Sequence, residues 1–487
     1  MMRRLLERLG RVDTDTALMG SMAGLIELSA TRYALDAGAQ WRPGEPLKLL
    51  FAGYAGTRNT GADVRVEEMI RQVRHLLGDD LADLSILTID PESSRGYFKT
   101  VKQLHLPQIF PKFVFDTVHQ QHGVIACEGS MFKSKFANAL STLMVGALGV
   151  ASAENKIAIG YGGEAGAMDE ALESLVRRYL PETLIITRNE ESRRVLGRLG
   201  VQSRLGTDTA WTFDVPLNRG QKMLEDAGWD GRTPVLAVCP INAFWWPVKP
   251  DLMRGAAWAV SGAHDDAHYD SVYFHHSGAE VDRAQRAYIG AIASAIRRFR
   301  SERSVFPVLV GMEKLDRSAC VMLDEMLGGE TPIFVSDDHD MYAMVSLIRS
   351  CSMLVSSRYH AIVCSMPGGV PSAGITMDER IANLMVERGT PELSLKVDDP
   401  GLADDLYQTL NRLHREADAI RQDIGVCVAR NVLKMGVMGG ILVDRLRERH
   451  PELPIRSELG EGSDPHLHLP PLGPRLRALL ETYSEAA

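Results

Sequence analysis

The stretch LKLLFAGYAGTRNTGADVRVEEMIRQVRHLLG, residues 47–78, decides the fold class. It begins with an apolar run typical of a buried strand, continues into glycines, and ends in a helical segment over 62–78. The same order recurs downstream, with strand signals at 84–89, 123–127, 156–162 and 183–187, and with the clearest helices at 169–180 and 190–200. Alternation of strands and helices predicts a parallel sheet covered on both faces.

A second series of the same kind follows a segment that reads as a linker, 213–234. Its strand signals lie at 235–241, 271–277, 305–310, 331–336, 353–357 and 369–376, with helices over 280–301 and from about 340. Ligands of such sheets bind beyond the carboxyl ends of the strands. The chain is therefore predicted to hold two Rossmann-like α/β domains that face each other across a cleft, with helical extensions at both ends.

The predicted division of the chain has five parts. They are a helical N-terminal extension (1–45), an N-terminal Rossmann-like domain (46–220), a C-terminal Rossmann-like domain that carries the main anion site (231–399), C-terminal helices (400–450) and a Pro/Gly-rich tail (451–487). The length of 487 residues is too great for one core and fits this division.

Composition excludes several classes of function. The net charge of −9 argues against a nucleic-acid partner, because such proteins usually carry a basic patch. Six scattered cysteines without a CxxC pair predict reduced thiols and no zinc site. The apolar stretch 136–153 is interrupted by polar residues, which favours a buried helix over a membrane span. We expect a cytoplasmic protein, with peripheral attachment to the inner face of the membrane left open. We expect no metal, since the acidic segment 336–340 is better explained by helix capping.

The segment SSRYHAIV, 356–363, carries the strongest chemical signal, because it places Arg358 and His360 where a strand turns into a helix. Ser356 or Ser357 is the expected N-cap. Two helical positions differ by about 200° of rotation, yet in the first turn both side chains can reach the open helix end. The unpaired N–H groups there favour an anion. Arginine offers two parallel donors to a carboxylate or phosphate, and histidine offers a proton near neutral pH. The alternative is a structural histidine beside a surface arginine.

Three further loops follow strands and are weaker candidates. In GYAGTRNTGAD, 53–63, the glycines allow close approach of a ligand, although a tight turn with Asp63 capping the helix is equally compatible. The segment ACEGSMFKSK, 126–135, either places polar groups at the cleft or forms only a turn capped by serine. ITRNEES, 186–192, places Arg188 at a strand end or on the surface. The candidate residues of the first two loops are Arg58, Asn59, Asp63, Glu128, Gly129, Ser130 and Lys135.

These four segments together resemble the polysaccharide pyruvyl transferase family over about 47–390. The residues 184–201, LIITRNEESRRVLGRLGV, are similar to its "R-D-x-x-S…L…L-G" segment. The residues 354–385, LVSSRYHAIVCSMPGGVPSAGITMDERIANLM, are similar to its closing "R-x-H-A…G-V-P…Y-D-x-K" segment, which is the most specific match. The sequence has Glu128 where the family commonly has Gly, Tyr359 where Leu is common and Arg380 where Lys is common, and Ala62 separates Gly61 from Asp63.

The resemblance implies a glycosyltransferase-B-like arrangement of the two domains, phosphoenolpyruvate as donor substrate, and a sugar, glycan or lipid-linked sugar as acceptor. No other cofactor is implied. His360 is then the candidate acid/base, with Arg358 beside it, because pyruvyl ketal transfer needs a proton delivered to the enol carbon. We expect donor binding by Arg188, Ser357, Tyr359, Ser130 and Gly129, and acceptor binding or loop roles for Arg58, Asn59, Asp63, Glu128 and Lys135.

Two other classes of function stay open at this point. One is a glycosyltransferase of the same two-domain build that uses a nucleotide sugar. The other is a non-catalytic scaffold whose cleft has lost its chemistry. A homo-oligomer is also compatible with the sequence.

Overall fold

The computed structural model describes residues 14–248, 275–460 and 462–486. Two parallel sheets organise the chain. Strand β1 lies between β2 and β4 in the first sheet, whose order is β3-β2-β1-β4-β5-β6-β7. Its strands are β1 (Leu47–Ala52), β2 (Ala82–Thr88), β3 (Lys102–His105), β4 (Gly123–Ala126), β5 (Ile157–Gly163), β6 (Leu184–Thr187) and β7 (Ser203–Leu205).

Helices cover both faces of the first sheet, as parallel strands require. They are α1 (Thr14–Leu35), α2 (Thr60–Leu77), α3 (Pro111–His119), α4 (Asn138–Ala153), α5 (Glu170–Tyr179) and α6 (Glu190–Arg198). The N-terminal helix α1 buries a stripe that includes Met19, Met22 and Ile26. This stripe packs on α4, which is itself buried over most of its length. The expectation that the apolar stretch 136–153 forms a buried helix is confirmed.

The second sheet has the order β10-β9-β8-β11-β12-β13. Its strands are β8 (Val235–Cys239), β9 (Phe306–Gly311), β10 (Ile333–Val335), β11 (Met353–Ser356), β12 (Ser372–Thr376) and β13 (Ser394–Lys396). Its helices, including one before it, are α7 (Asn218–Asp226), α8 (Ala279–Glu302), α9 (Arg317–Leu327), α10 (Met341–Arg349), α11 (Tyr359–Ser365) and α12 (Glu379–Arg388). The prediction of two parallel-sheet α/β domains with helical extensions is confirmed.

The C-terminal helices are α13 (Leu402–Arg415), α14 (Ala417–Arg449) and α15 (Pro474–Tyr483). Helix α14 contacts both domains: Gln72 of α2 donates to the carbonyl of Met435 at 2.8 Å, and Lys434 pairs with Glu387 of α12 at 2.5 Å. Of the described helices, α14 alone is long and apolar enough to cross a membrane, and 61% of its most apolar window is buried inside the protein.

Several local expectations were wrong. The segment 213–234 is not a plain linker, because it contains helix α7. Strands β3, β7 and β13 were not predicted; their residues are mostly exposed or half-exposed, so they lack the apolar run that marks a buried strand. The strand expected over 271–277 lies partly outside the described residues. Asp340 does cap α10, where it accepts the N–H of Ala343 at 2.8 Å, as the acidic segment predicted.

Candidate functional site

A cavity lies between the two domains, at the carboxyl ends of both sheets. The first domain contributes the residues that follow β1, β4 and β6, namely Tyr54, Asn59, Gly61, Ala62, Glu128, Gly129, Ser130 and Arg188. The second contributes residues after β9, β11 and β12, namely Met312, Ser357, Arg358, Tyr359, His360, Met377 and Arg380. Its volume is about 60 Å³. The two domains line it about equally, whereas the sequence placed the main anion site in the second domain.

A larger open groove of about 1180 Å³ runs between α6 and α14 on the outer face of the first domain. Its charged side chains are largely exposed and form local ion pairs, such as Arg193 with Glu190 and Arg445 with Glu448. Exposed pairs of this kind contribute little binding energy. The interdomain cavity, whose polar groups are buried, is therefore the better candidate site.

The turn from β11 into α11 presents Arg358 and His360 to the cavity. Arg358 itself is the N-cap, with extended backbone at φ −97° and ψ 117°, and Ser356 Oγ accepts its N–H at 2.9 Å. The expectation that Ser356 or Ser357 is the N-cap was therefore wrong. Helix α11 has only seven residues, so its dipole is small. Charged side chains must therefore supply most of the attraction for an anion at this site.

Arg358 is held by two carboxylates. It donates through Nε and Nη2 to Asp316, at 2.9 and 2.6 Å, and Nη2 lies 3.0 Å from Glu313. Burial raises the pKa of Asp316 to about 6, against the opposing charge of Arg358. Glu313 also accepts from two groups of the first domain, Tyr54 at 2.6 Å and Asn59 at 3.1 Å. With 21% of its side chain exposed, Arg358 still presents an edge to the cavity.

Asp208 joins basic side chains of both domains. One carboxylate oxygen, Oδ2, lies 3.2 Å from His360 Nε2, 3.2 Å from Arg188 Nη1 and 3.5 Å from Arg65 Nε. Burial alone would raise the pKa of Asp208, but the charges of Arg65, His360 and Arg188 outweigh it and hold this pKa well below its ordinary range. Asp208 is thus an ionised anchor that fixes the orientation of the His360 ring.

Arg188 is not a surface residue but is almost fully buried. It donates through Nε to Glu164 at 2.6 Å, and its guanidinium lies 4.3 Å from the centre of the Tyr359 ring. Burial alone would raise the pKa of Glu164, but Arg188 and Lys133 lower it to about 2. Lys133 also reaches Glu379 of the second domain at 2.7 Å.

Two glycines permit the close approach of these groups. A Cβ on Gly61, in the first turn of α2, would lie 2.2 Å from His360 Cβ. A Cβ on Gly129 would lie 2.8 Å from Arg188 Nη1. At distances this short one of the two groups would have to shift. The glycines therefore let backbone from the first domain lie directly against His360 and Arg188.

The predicted residues separate into two groups by position. Those that line the cavity are Asn59, Glu128, Gly129, Ser130, Arg188, Ser357, Arg358, Tyr359 and His360. Arg58, Asp63 and Lys135 do not line it. Arg58 donates instead to the Ser93 carbonyl at 2.7 Å, and Asp63 accepts the N–H of Gly56 at 2.9 Å, so both stabilise loops. Asn59, not Asp63, caps α2 by accepting the N–H of Ala62.

Sequence reasoning missed four carboxylates of the site and two of its buried cations. The missed residues are Arg65, Lys133, Glu164, Asp208, Glu313 and Asp316. A signal was present for two of them, because Glu164 and Glu313 each stand within a few residues of the carboxyl end of a strand that the sequence predicted. Within residues 14–248, 275–460 and 462–486, no group of three or more His, Cys, Asp or Glu side chains is placed to hold a metal ion.

The family resemblance is confirmed by a family-model match. Residues 144–379 match the model described as polysaccharide pyruvyl transferase. This span is narrower than the resemblance over 47–390, and it includes Arg188, Arg358 and His360 but not the loops at 53–63 and 126–135. A search of curated proteins found no match.

Two solved structures show the same fold at low sequence identity, and a third is similar with a lower TM-score. A protein described as a UDP-N-acetylglucosamine 2-epimerase from Listeria monocytogenes is 12% identical with a TM-score of 0.50, over 82% of this chain and 96% of that one. The UDP complex of MnaA from S. aureus is 10% identical with a TM-score of 0.50, over 82% and 97%. WaaG, a glycosyltransferase involved in lipopolysaccharide biosynthesis, is 11% identical with a TM-score of 0.44, over 77% and 94%.

Proposed function

We propose that this chain, whose residues 144–379 match the polysaccharide pyruvyl transferase family, moves a pyruvyl group from phosphoenolpyruvate to two hydroxyls of a sugar or glycan and so forms a ketal. The observation that carries the proposal is the convergence of Arg188, Arg358 and His360 on one cavity between the domains. No metal or other cofactor takes part in the proposed reaction.

Arginine side chains that are already fixed suit an anionic donor. Arg358 and Arg188 are oriented by Asp316 and Glu164, so neither has to lose much rotamer freedom when a ligand binds. A phosphate or carboxylate can approach the exposed edge of Arg358 without displacing its ion pairs. The guanidinium fork then supplies charge-assisted hydrogen bonds.

His360 supplies the proton in the proposed reaction. Asp208 bonds to Nε2 at 3.2 Å and fixes the ring, which is the usual way in which a carboxylate positions a catalytic imidazole. As the methylene carbon of phosphoenolpyruvate takes this proton, C2 becomes electron-poor, and a sugar hydroxyl attacks C2 in the same step. A second hydroxyl then displaces phosphate from the same carbon. Positioned acids of this kind contribute about 10²–10⁴-fold to the rate.

Half-buried aromatic rings beside the cavity support a sugar as acceptor. Arg380, which lines the cavity, lies 4.4 Å over the Phe136 ring, and Phe136 packs edge-on against Trp246 at 5.4 Å. Trp245, next in the same loop, stacks on His275 at 4.1 Å. Ring faces of this kind pack against the apolar faces of sugars while the sugar hydroxyls stay hydrogen-bonded.

The proposed location is the cytoplasm, with peripheral attachment to the inner face of the membrane as its alternative. All six cysteines are free and buried, which supports a reducing compartment.

Binding measurements with the two kinds of donor separate this function from the nucleotide-sugar alternative. Calorimetric titration with phosphoenolpyruvate and with a panel of nucleotide sugars is expected to show saturable binding of phosphoenolpyruvate, weakened in Arg358→Ala. Binding of a nucleotide sugar without binding of phosphoenolpyruvate would instead support a glycosyltransferase. A folded protein that binds neither would support the scaffold.

A further inference from the structure

Glu128 has a buried carboxylate oxygen without a partner. The residue follows β4, lines the cavity and is 9% exposed. Its Oε1 accepts the N–H of Ser130 at 3.2 Å. Its Oε2 has no hydrogen-bond partner among the residues that the structure describes. Buried carboxylates are normally paired, because an unsatisfied one loses its hydration without gaining a hydrogen bond in return. Because Glu128 lines the cavity, its unpaired carboxylate oxygen is available to a ligand that binds there.

The guanidinium groups of Arg188 and Arg358, which line the same cavity, do not bond to this oxygen. Arg188 uses Glu164 and Asp208, and Arg358 uses Asp316 and Glu313. Glu128 is therefore the carboxylate of the cavity that keeps a free lone pair, and the matching donor has to come from the ligand. A sugar hydroxyl is such a donor.

The proposed reaction needs a proton donor and a proton acceptor in the same step. While a hydroxyl adds to C2 of phosphoenolpyruvate, the methylene carbon gains a proton and the hydroxyl loses one. His360 cannot be the acid and the base at the same moment. We propose that Glu128 is the base that takes the proton of the attacking sugar hydroxyl, an inference that rests on the proposed function.

The proton balance closes over the two steps. In the first, the hydroxyl oxygen bonds to C2, the C2–C3 double-bond electrons take the His360 proton at C3, and the hydroxyl proton passes to Glu128. In the second, another hydroxyl oxygen bonds to C2, the C2–O bond to phosphate breaks, and phosphate leaves with the bonding electrons. The second hydroxyl proton passes to His360, and Glu128 returns its proton to the departing phosphate. Both residues regain their starting states.

The test uses Glu128→Gln in the full chain, because the amide keeps the acceptor for the Ser130 N–H and the side-chain shape. Phosphate release from phosphoenolpyruvate is measured with a panel of methyl hexopyranosides and with water as the only nucleophile. We expect kcat to fall about 10²–10⁴-fold, the acidic limb of the pH–rate profile to disappear, and affinity for phosphoenolpyruvate to be preserved. The matched control is Glu330→Gln, an exposed carboxylate of the second domain, which should retain wild-type rates.

A second variant separates a base from a structural residue. Glu128→Gly makes room for formate, and added formate is expected to restore part of the rate, which a purely structural defect would not allow. Wild-type kcat in Glu128→Gln, or no effect of formate on Glu128→Gly, would overturn the inference and leave the proposed function standing. Failure of the wild-type protein to release phosphate with any nucleophile would overturn both.

Discussion

Gly61 is a point of close approach between the two domains, and its replacement by alanine requires a displacement that can be worked out from the structure. The added Cβ would lie 2.2 Å from His360 Cβ and 2.4 Å from its Cγ. Carbon atoms pack at roughly 3.5–4.0 Å, so the start of α2 and the start of α11 must separate by roughly 1.3–1.8 Å. A misplacement of about 1 Å in a catalytic group can cost about 10²-fold in rate. We therefore expect Gly61→Ala to lower kcat by about 10²-fold or more.

The loss cannot come from helix propensity, because alanine is the better helix former by about 1 kcal/mol. Steady-state kinetics should be measured beside thermal melts and phosphoenolpyruvate titrations, so that a catalytic defect is told apart from unfolding. Gly197→Ala is the matched control, since that glycine lies in helix α6 and a Cβ there meets no atom within 4 Å. It should keep wild-type activity. An unchanged kcat in Gly61→Ala would show that the close approach of the domains does not position His360.

Three further predictions concern single side chains. Arg358→Ala should raise KM for phosphoenolpyruvate about 10–150-fold, which is the effect of losing a charge-assisted contact, and should lower Tm because Asp316 loses its partner. Arg358→Lys should restore only part of the donor affinity. An unchanged KM in Arg358→Ala would contradict a role of Arg358 in donor binding. His360→Gln should lower kcat about 10²–10⁴-fold with little effect on donor affinity, whereas a lower Tm with normal activity of the folded fraction would identify a structural residue. Burial raises the pKa of Asp63 from 3.8 to about 7, so the stability linked to its proton is present below about pH 4 and is lost as pH rises towards 7. In Asp63→Asn, the free energy of unfolding measured in urea should therefore lose up to about 4 kcal/mol of this dependence on pH. If the free energies of unfolding of the variant and the wild-type protein changed equally with pH, the raised pKa of Asp63 would be refuted.

The sequence predicted the two sheets because most of their strands are buried on both faces and form continuous apolar runs. It could not predict β7, whose residues are half-exposed or exposed. That omission also hid Asp208, which follows β7 and contacts His360 from the other domain. The missed carboxylates pair with cations that lie far away in the sequence, and such pairing cannot be read from a local pattern. A strand end marks where a polar side chain can face a ligand, but it does not reveal which carboxylate neutralises which cation.

The same limit explains why the sequence predicted the position of Arg358 but not its carboxylate partners. The sequence indicated a cation placed for an anion, and the structure places Asp316 and Glu313 against it. Burial of an arginine requires such partners, since an unpaired buried charge is costly. The position of Arg358 was accessible from its strand and helix signals, whereas its partners lie on a loop that follows a different strand.

The placement of α14 has a consequence for the order in which the chain folds during synthesis. Gln72 on α2 of the first domain hydrogen-bonds to the backbone of Met435, and Asn431 bonds to Thr207 just after β7. Domains generally fold as they leave the ribosome, the N-terminal one first. Here the first domain emerges with one apolar face uncovered, and that face stays open until the C-terminal helix has been made. A nascent chain stalled before residue 417 should accordingly be more prone to aggregation and chaperone capture than one released after residue 449.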